Sequence, residues 1–155
     1  MMDKRNKKLI IEQLDQKFAS FKNASTILRP EKGWVNATRT SLNMQLAQLG
    51  NKLNTSPQGI KGLENREANG SITLNSLKEA AEALEMKLVY AIIPKDETLE
   101  KLVERRAHEL ARKIVMRTSA SMKLEDQENT QSRLFKAIAE KAQEIKDELP
   151  KYLWD

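Results

Sequence analysis

The chain has 155 residues, a single histidine and no cysteine, which excludes disulfides, thiolate nucleophiles and thiolate metal sites. Its 39 % hydrophobic residues suffice for one core, or for a small domain with an appendage. No apolar run approaches the roughly 20 residues that cross a bilayer, and Leu9-Ile10-Ile11 behind the basic start is too short for a secretory signal, so the expectation is cytoplasmic, with no membrane partner. Charge is uneven: residues 1–66 carry a net +7 and residues 67–155 a net −2, a placement that suits phosphate binding by the first half.

In chain order, residues 4–22 predict an amphipathic helix with Leu9, Ile10, Leu14, Phe18 and Phe21 on one side. That face is too apolar to leave in water and must pack on the chain or on a second subunit. Asn23-Ala24-Ser25 breaks the pattern, and Arg29–Gly33 reads as a loop. Trp34 to Leu42 predicts a helix whose Trp34, Ala37, Thr38 and Leu42 share a face, with Trp34 in the core.

The stretch Met44–Glu64 has the spacing of a helix-turn-helix. Leu46, Leu49 and Leu53 recur at three- and four-residue intervals, Gly50 allows a close helix crossing, and Asn54 tolerates the left-handed conformation that ends a helix. Ser56 can cap the next helix with Pro57 at its first position, and Ile60 and Leu63 give its inward face. Gln58, Gly59, Lys61 and Gly62 are left facing outward.

Asn69-Gly70 marks a turn, and Thr73 can cap a helix over Leu74–Leu84 with Leu74, Leu77, Ala81 and Leu84 on one face. Lys87–Ile93 is dense in β-branched and aromatic residues and ends at Pro94, which predicts one β-strand. A single strand lacks ladder partners. Pairing with the same strand of a second copy is the economical solution; a partner protein or an unrecognised strand are the alternatives. From Thr98 a helix with Leu99, Leu102, Val103, Leu110 and Ile114 runs to about Arg117, and Thr118–Ser121 loosens it. Gln131–Leu149 predicts a last helix with Leu134, Ile138, Ala142, Ile145 and Leu149 on one stripe, followed by Pro150 and an aromatic tail.

The candidate site follows from the helix-turn-helix, whose second helix places side chains near its N-terminus against base edges. Gln58 can pair with adenine N6/N7, and Lys61 can donate to guanine or a phosphate. Gly59 and Gly62 each cost about 1 kcal/mol relative to alanine in a helix, which suggests close backbone approach to DNA or to a neighbouring helix; drift at exposed positions is the alternative. Of Gln45 and Gln48, one meets a phosphate and the other closes a cap. Ser56, Asn65 and Arg66 complete the DNA-binding set, with Asn65 and Arg66 as phosphate contacts. Arg39 and Glu64 form a structural ion pair, Lys52 lies on a solvated face, and His108 sits on a charged helix as a surface or interface residue. With one histidine, no thiol and no Gly-rich phosphate loop, no catalytic residue, metal or cofactor is expected, and the chain is not read as an enzyme.

From Arg39 through Leu63-Glu64-Asn65, and over roughly residues 33–86, the chain resembles the phage-repressor-like (Xre-type) helix-turn-helix family. The resemblance implies a compact helical domain used as a dimer on a two-fold operator. Gln45 and Asn65 then lie at phosphate positions, Gln58 and Lys61 face the groove, and Arg39 faces Glu64. Gly33-Trp34, the Met44–Glu64 motif, Gly70-Ser71-Ile72, Leu88-Val89-Tyr90-Ala91 with Pro94, Glu104-Arg105-Arg106-Ala107, Ser121–Gln127 and Leu153-Trp154-Asp155 together resemble the mobile mystery protein A family. That likeness implies a companion with a Fic domain, an enzyme fold that transfers nucleotide groups onto proteins, and an antitoxin-like or operon-regulating role. The inhibitory motif of Ser or Thr, three residues, Glu, then Gly or Asn is absent, because Ile60 and Leu124 precede Glu64-Asn65 and Glu128-Asn129 by the required interval.

The sequence therefore predicts a mainly α protein. It comprises an N-terminal amphipathic helix and linker (1–32), a repressor-like helix-turn-helix domain ending in one β-strand (33–94) and a C-terminal helical hairpin (95–155). The expected function is sequence-specific binding of double-stranded DNA by a homodimer that represses its own operon. The alternative is a protein-interaction module that neutralises a Fic-domain partner.

Overall fold

The computed structural model describes residues 3–123 and 131–155. Within them the chain is mainly helical: α1 (Lys4–Ala19), α2 (Trp34–Ser41), α3 (Leu46–Lys52), α4 (Pro57–Asn69), α5 (Leu74–Ala83), α6 (Leu99–Lys123) and α7 (Gln131–Glu148), with short 3-10 turns at Ala24–Thr26 and Lys151–Trp154. No described helix is long and apolar enough to cross a membrane. Leu124–Gln127 and Glu128-Asn129 lie outside the described residues.

Contacts group the chain into two compact units, a central one (Ser25–Tyr90) and a terminal one that joins Met1–Ala24 to Ala91–Asp155. This grouping does not follow the chain-order divisions 1–32, 33–94 and 95–155, because α1 contacts α6.

In the central unit, local chemistry sets the helix ends. Asn43 and Asn54 both take φ 52°, the left-handed conformation that turns the chain out of α2 and α3. Ser56 caps α4 by accepting from the Gly59 N–H at 3.0 Å, with Pro57 in the first turn. Gly70 ends α4 at φ 80°, and Thr73 accepts from the Ser76 N–H at 3.1 Å to start α5. Val35, Leu49, Ile60, Leu63, Ala80 and Leu84 are buried together, and Leu46, Leu53 and Leu77 pack around them.

The face of α2 differs from the expected one. Val35 and Arg39, four residues apart, turn inward, whereas Trp34 is 48 % exposed and Leu42 is exposed as well. The polar anchoring described below selects the Val35–Arg39 face and overrides the larger apolar side chains. On α5, Leu74 is likewise exposed and Ala80 takes the buried place, since an alanine admits a closer neighbour. No strand forms among the described residues: 87–93 lies outside every helix and has no ladder partner there, without which no strand exists.

In the terminal unit α6 packs along α7 over a seam of Val103, Ala107, Ala111, Ile138, Ile145 and Leu153. Full burial of a side chain such as Ile145 or Leu153 contributes about 1.5–3 kcal/mol. The small Ala107 and Ala111 let the helices approach. The helix runs on through the expected break at Thr118–Ser121, where Ser119 is buried. The aromatic tail docks through Leu153, while Tyr152 and Trp154 stay half exposed, and Arg106 donates to the Leu153 carbonyl at 3.1 Å.

No residue of α1 is fully buried. Ile11 packs on the seam and Lys7 donates to the Glu148 carbonyl at 3.0 Å, leaving Leu9, Ile10 and Leu14 exposed. The start of α6 is held by Asp15 of α1, whose carboxylate accepts from the Leu99 and Glu100 N–H groups at 2.7 and 3.2 Å. Surface pairs join Arg105 to Asp96 at 2.9 Å and Lys101 to Glu97 at 2.6 Å, and these cations hold both carboxyls below their ordinary range.

Candidate nucleic-acid interface

The outward side chains of α4 are set by what holds its inward ones. Glu64, with its side chain 6 % exposed, accepts from Arg39 Nε at 2.6 Å and Nη2 at 3.2 Å, and from Asn36 Nδ2 at 2.8 Å. Arg39 uses Nη1 to reach the Met44 carbonyl at 2.8 Å, which ties the α2–α3 turn to the same carboxylate. Two parallel guanidinium bonds fix direction as well as distance, and removal of either partner would strand a buried charge.

One turn further along, Glu67 does for α2 what no local residue can. Its two oxygens accept from the Trp34 and Val35 N–H groups at 2.7 and 2.9 Å, satisfying donors at a helix start where negative charge is favoured. Gly33, at φ 87°, has no side chain to cap α2, and a Cβ there would lie 2.7 Å from the Glu67 carboxyl carbon. Arg29 closes the other end by donating to the Glu67 and Ala68 carbonyls at 2.6 and 2.8 Å. The axis of α4 is thus tied to α2 by buried polar bonds at two successive turns. The sequence places Arg29 in a loop and gives neither it nor Glu67 an anchoring role. Gly33 ahead of a helix that lacks a Ser, Thr, Asp or Asn cap was the available signal.

The other face of α4 is open. Gln58, Lys61, Asn65 and Arg66 are exposed, as are Gln45 at the start of α3 and Ser56 at the start of α4. Gln48 spends its side-chain carbonyl on the Gln45 N–H at 2.8 Å, one half of a capping box in which the exposed Gln45 side chain faces the Gln48 N–H. The two glycines part company. At Gly59 a Cβ would meet the hydroxyl of the exposed Thr55, which would have to turn aside; at Gly62 only Arg66 Nη1 comes near, at 3.4 Å. Gly50 is buried, and a Cβ there would meet the Thr55 carbonyl at 2.7 Å: the close approach is to the turn.

Charge sharpens the picture. Between Leu42 and Lys78 the only carboxylates are Glu64 and Glu67, and both are buried. The cations of that stretch, Lys52, Lys61, Arg66 and Lys78, are exposed, and Lys52 lies 3.9 Å from Glu85. The surface of α3 and α4 therefore presents amides, hydroxyls and positive charge with no exposed carboxylate of its own, a surface suited to a phosphate backbone.

His108 is exposed on α6, and among the described residues no group of three His, Asp or Glu side chains could hold a metal ion. Comparison with protein-family models, curated proteins and solved structures finds no match to this chain.

Proposed function

We propose that α3 and α4 act as a helix-turn-helix that binds double-stranded DNA in a sequence-specific manner, and that a homodimer of the protein represses its own operon in an antitoxin-like role. The observation that carries this reading is the carboxylate-free exposed face of α4, with both of the helix's glutamates turned inward to anchor it. With α4 in the major groove, Gln58 pairs with adenine, and Lys61 donates to guanine or a phosphate. Gln45, Asn65 and Arg66 hold the backbone, and Gly62 lets α4 come close. The Ser56 cap keeps the N-terminal turn regular, so that its free N–H groups and positive dipole end also face the phosphates.

Fluorescence anisotropy with duplex DNA from upstream of the gene, beside a scrambled duplex, tests the reading across a salt series. Specific binding persists near physiological salt with a preference of roughly a thousandfold or more. Replacing Gln58 and Lys61 together with alanine removes that preference. Equal, steeply salt-sensitive binding to both duplexes would reduce the activity to phosphate attraction, and an unchanged preference in the double variant would remove α4 as the reading helix.

A second reading, in which residues 95–155 hold a Fic-domain partner, draws support from the compactness of the terminal unit and from the apolar side chains it leaves exposed, Phe135 at 66 % among them. The same double variant separates the two, because it spares partner binding.

A further inference from the structure

Among the large apolar side chains that the central unit exposes, Trp34, Leu74, Met86, Val89 and Tyr90 lie together, the last 69 % exposed. They line two adjoining grooves that share Met86, Lys87 and Leu88. One, of about 320 Å³, is lined also by Trp34, Leu77 and Val89; the other, of about 560 Å³, also by Leu74, Glu82 and Tyr90. The patch is a continuous surface fed by α2, α5 and the segment behind α5.

The backbone beside it is unpaired. Met86 N–H donates to the Ala81 carbonyl at 2.8 Å, and after it residues 87–90 make no backbone–backbone hydrogen bond among the described residues. A run of Leu, Val and Tyr with free N–H and C=O groups is an edge without its neighbour.

We propose that this patch docks a second copy of the central unit, with residues 87–90 of the two copies pairing antiparallel across a two-fold axis. A small apolar ligand could fill the grooves but would leave the backbone donors and acceptors unmet, whereas a second strand takes both. The rim carries Lys78 and Lys87 together with Glu82, so a matching surface must offer both signs, and the patch itself does. Two-fold pairing is self-complementary by construction: what one copy lacks, the other presents. The inference rests on the homodimer of the DNA-binding reading and gives it a surface: a monomer would remove both, a dimer indifferent to the replacements would remove the surface alone, and the duplex preference is read separately.

Sedimentation velocity of the full chain, over a concentration series, reads the association directly. The wild-type chain is dimeric. Single proline replacements at Leu88, Val89, Tyr90 and Ala91 then separate by alternation, because successive N–H groups along a strand point to opposite sides. Either Leu88→Pro and Tyr90→Pro release monomer while Val89→Pro and Ala91→Pro stay dimeric, or the reverse. Met86→Glu, at an exposed side chain, weakens the dimer about tenfold or more, and circular dichroism confirms that each variant keeps its helices. A wild-type monomer throughout, or a dimer indifferent to every one of these replacements, would overturn the proposal. So would a monomer that co-sediments with phosphatidylglycerol vesicles through the same residues, which would give the patch to a membrane surface.

Discussion

Both units fasten the start of one helix with a carboxylate borrowed from another, yet they place it in opposite settings. In the central unit Glu67 is 3 % exposed and grips α2 with both oxygens. In the terminal unit Asp15 is half-buried and grips α6 in the same two-handed way. The surroundings explain the difference. Helices α2, α3 and α4 have 8, 7 and 13 residues, too short for apolar stripes alone to fix their mutual angles, and buried polar bonds supply the missing direction. Helices α6 and α7 have 25 and 18 residues and a long apolar seam, so their polar contacts trim the edges of an arrangement that packing already determines.

The sharpest way to break this contrast is Glu64→Ala, which leaves Arg39 buried and uncompensated. A loss of about 3–5 kcal/mol is expected, read as early thermal unfolding of the central unit while the helices of the terminal unit persist. Glu67→Ala should remove about 2 kcal/mol or more through two lost charge-assisted bonds. Amide exchange at Trp34 and Val35 would rise ahead of the rest, and unchanged protection there would mean that water replaces the carboxylate. In the other unit the vulnerable element is packing: Ala111→Leu overfills the seam at a cost of about 1–3 kcal/mol, seen in urea unfolding. Asp15→Ala should cost about 1 kcal/mol, as an accessible cap does; a loss equal to that of Glu67→Ala would erase the distinction between the units.

The smallest effect concerns acid. Arg105 and Lys101 hold Asp96 and Glu97 below their ordinary values of 3.8 and 4.5. Their folded-state values lie under their unfolded ones, so their contribution is present above the unfolded values and fades as pH falls through the folded ones, below about pH 4. Melting curves of wild type and Asp96→Asn should therefore converge in acid and separate slightly toward neutral pH.

Much of the central unit was legible because its signals are local. Ser56-Pro57, Asn54, Asn69-Gly70 and Thr73 act on residues one to four positions away, and Leu49, Ile60 and Leu63 declare themselves by spacing. What escaped is contact at a distance. Glu67 lies 33 residues from the Trp34 N–H and Asp15 lies 84 residues from that of Leu99, separations that leave no periodic trace. The orientation of α2 escaped for a related reason: hydropathy assigns Trp34 and Leu42 to the core, but Arg39 and Asn36 are held by Glu64, and the helix turns with them. Thr118–Ser121 look like a break by composition, yet α6 runs on through them with Ser119 buried. The run 87–93 has the composition of a strand, but composition supplies no ladder, and no strand forms among the described residues.

The two glycines of α4 differ in the room around them. At Gly59 any side chain must first turn the Thr55 hydroxyl aside. Gly62 faces only the flexible end of Arg66, at 3.4 Å. Alanine there would strengthen the helix by about 1 kcal/mol, and a longer polar side chain would extend outward beside Lys61. If α4 reads DNA, Gly62 is where a descendant could acquire a new base preference in a single mutational step, without disturbing the anchors that orient the helix.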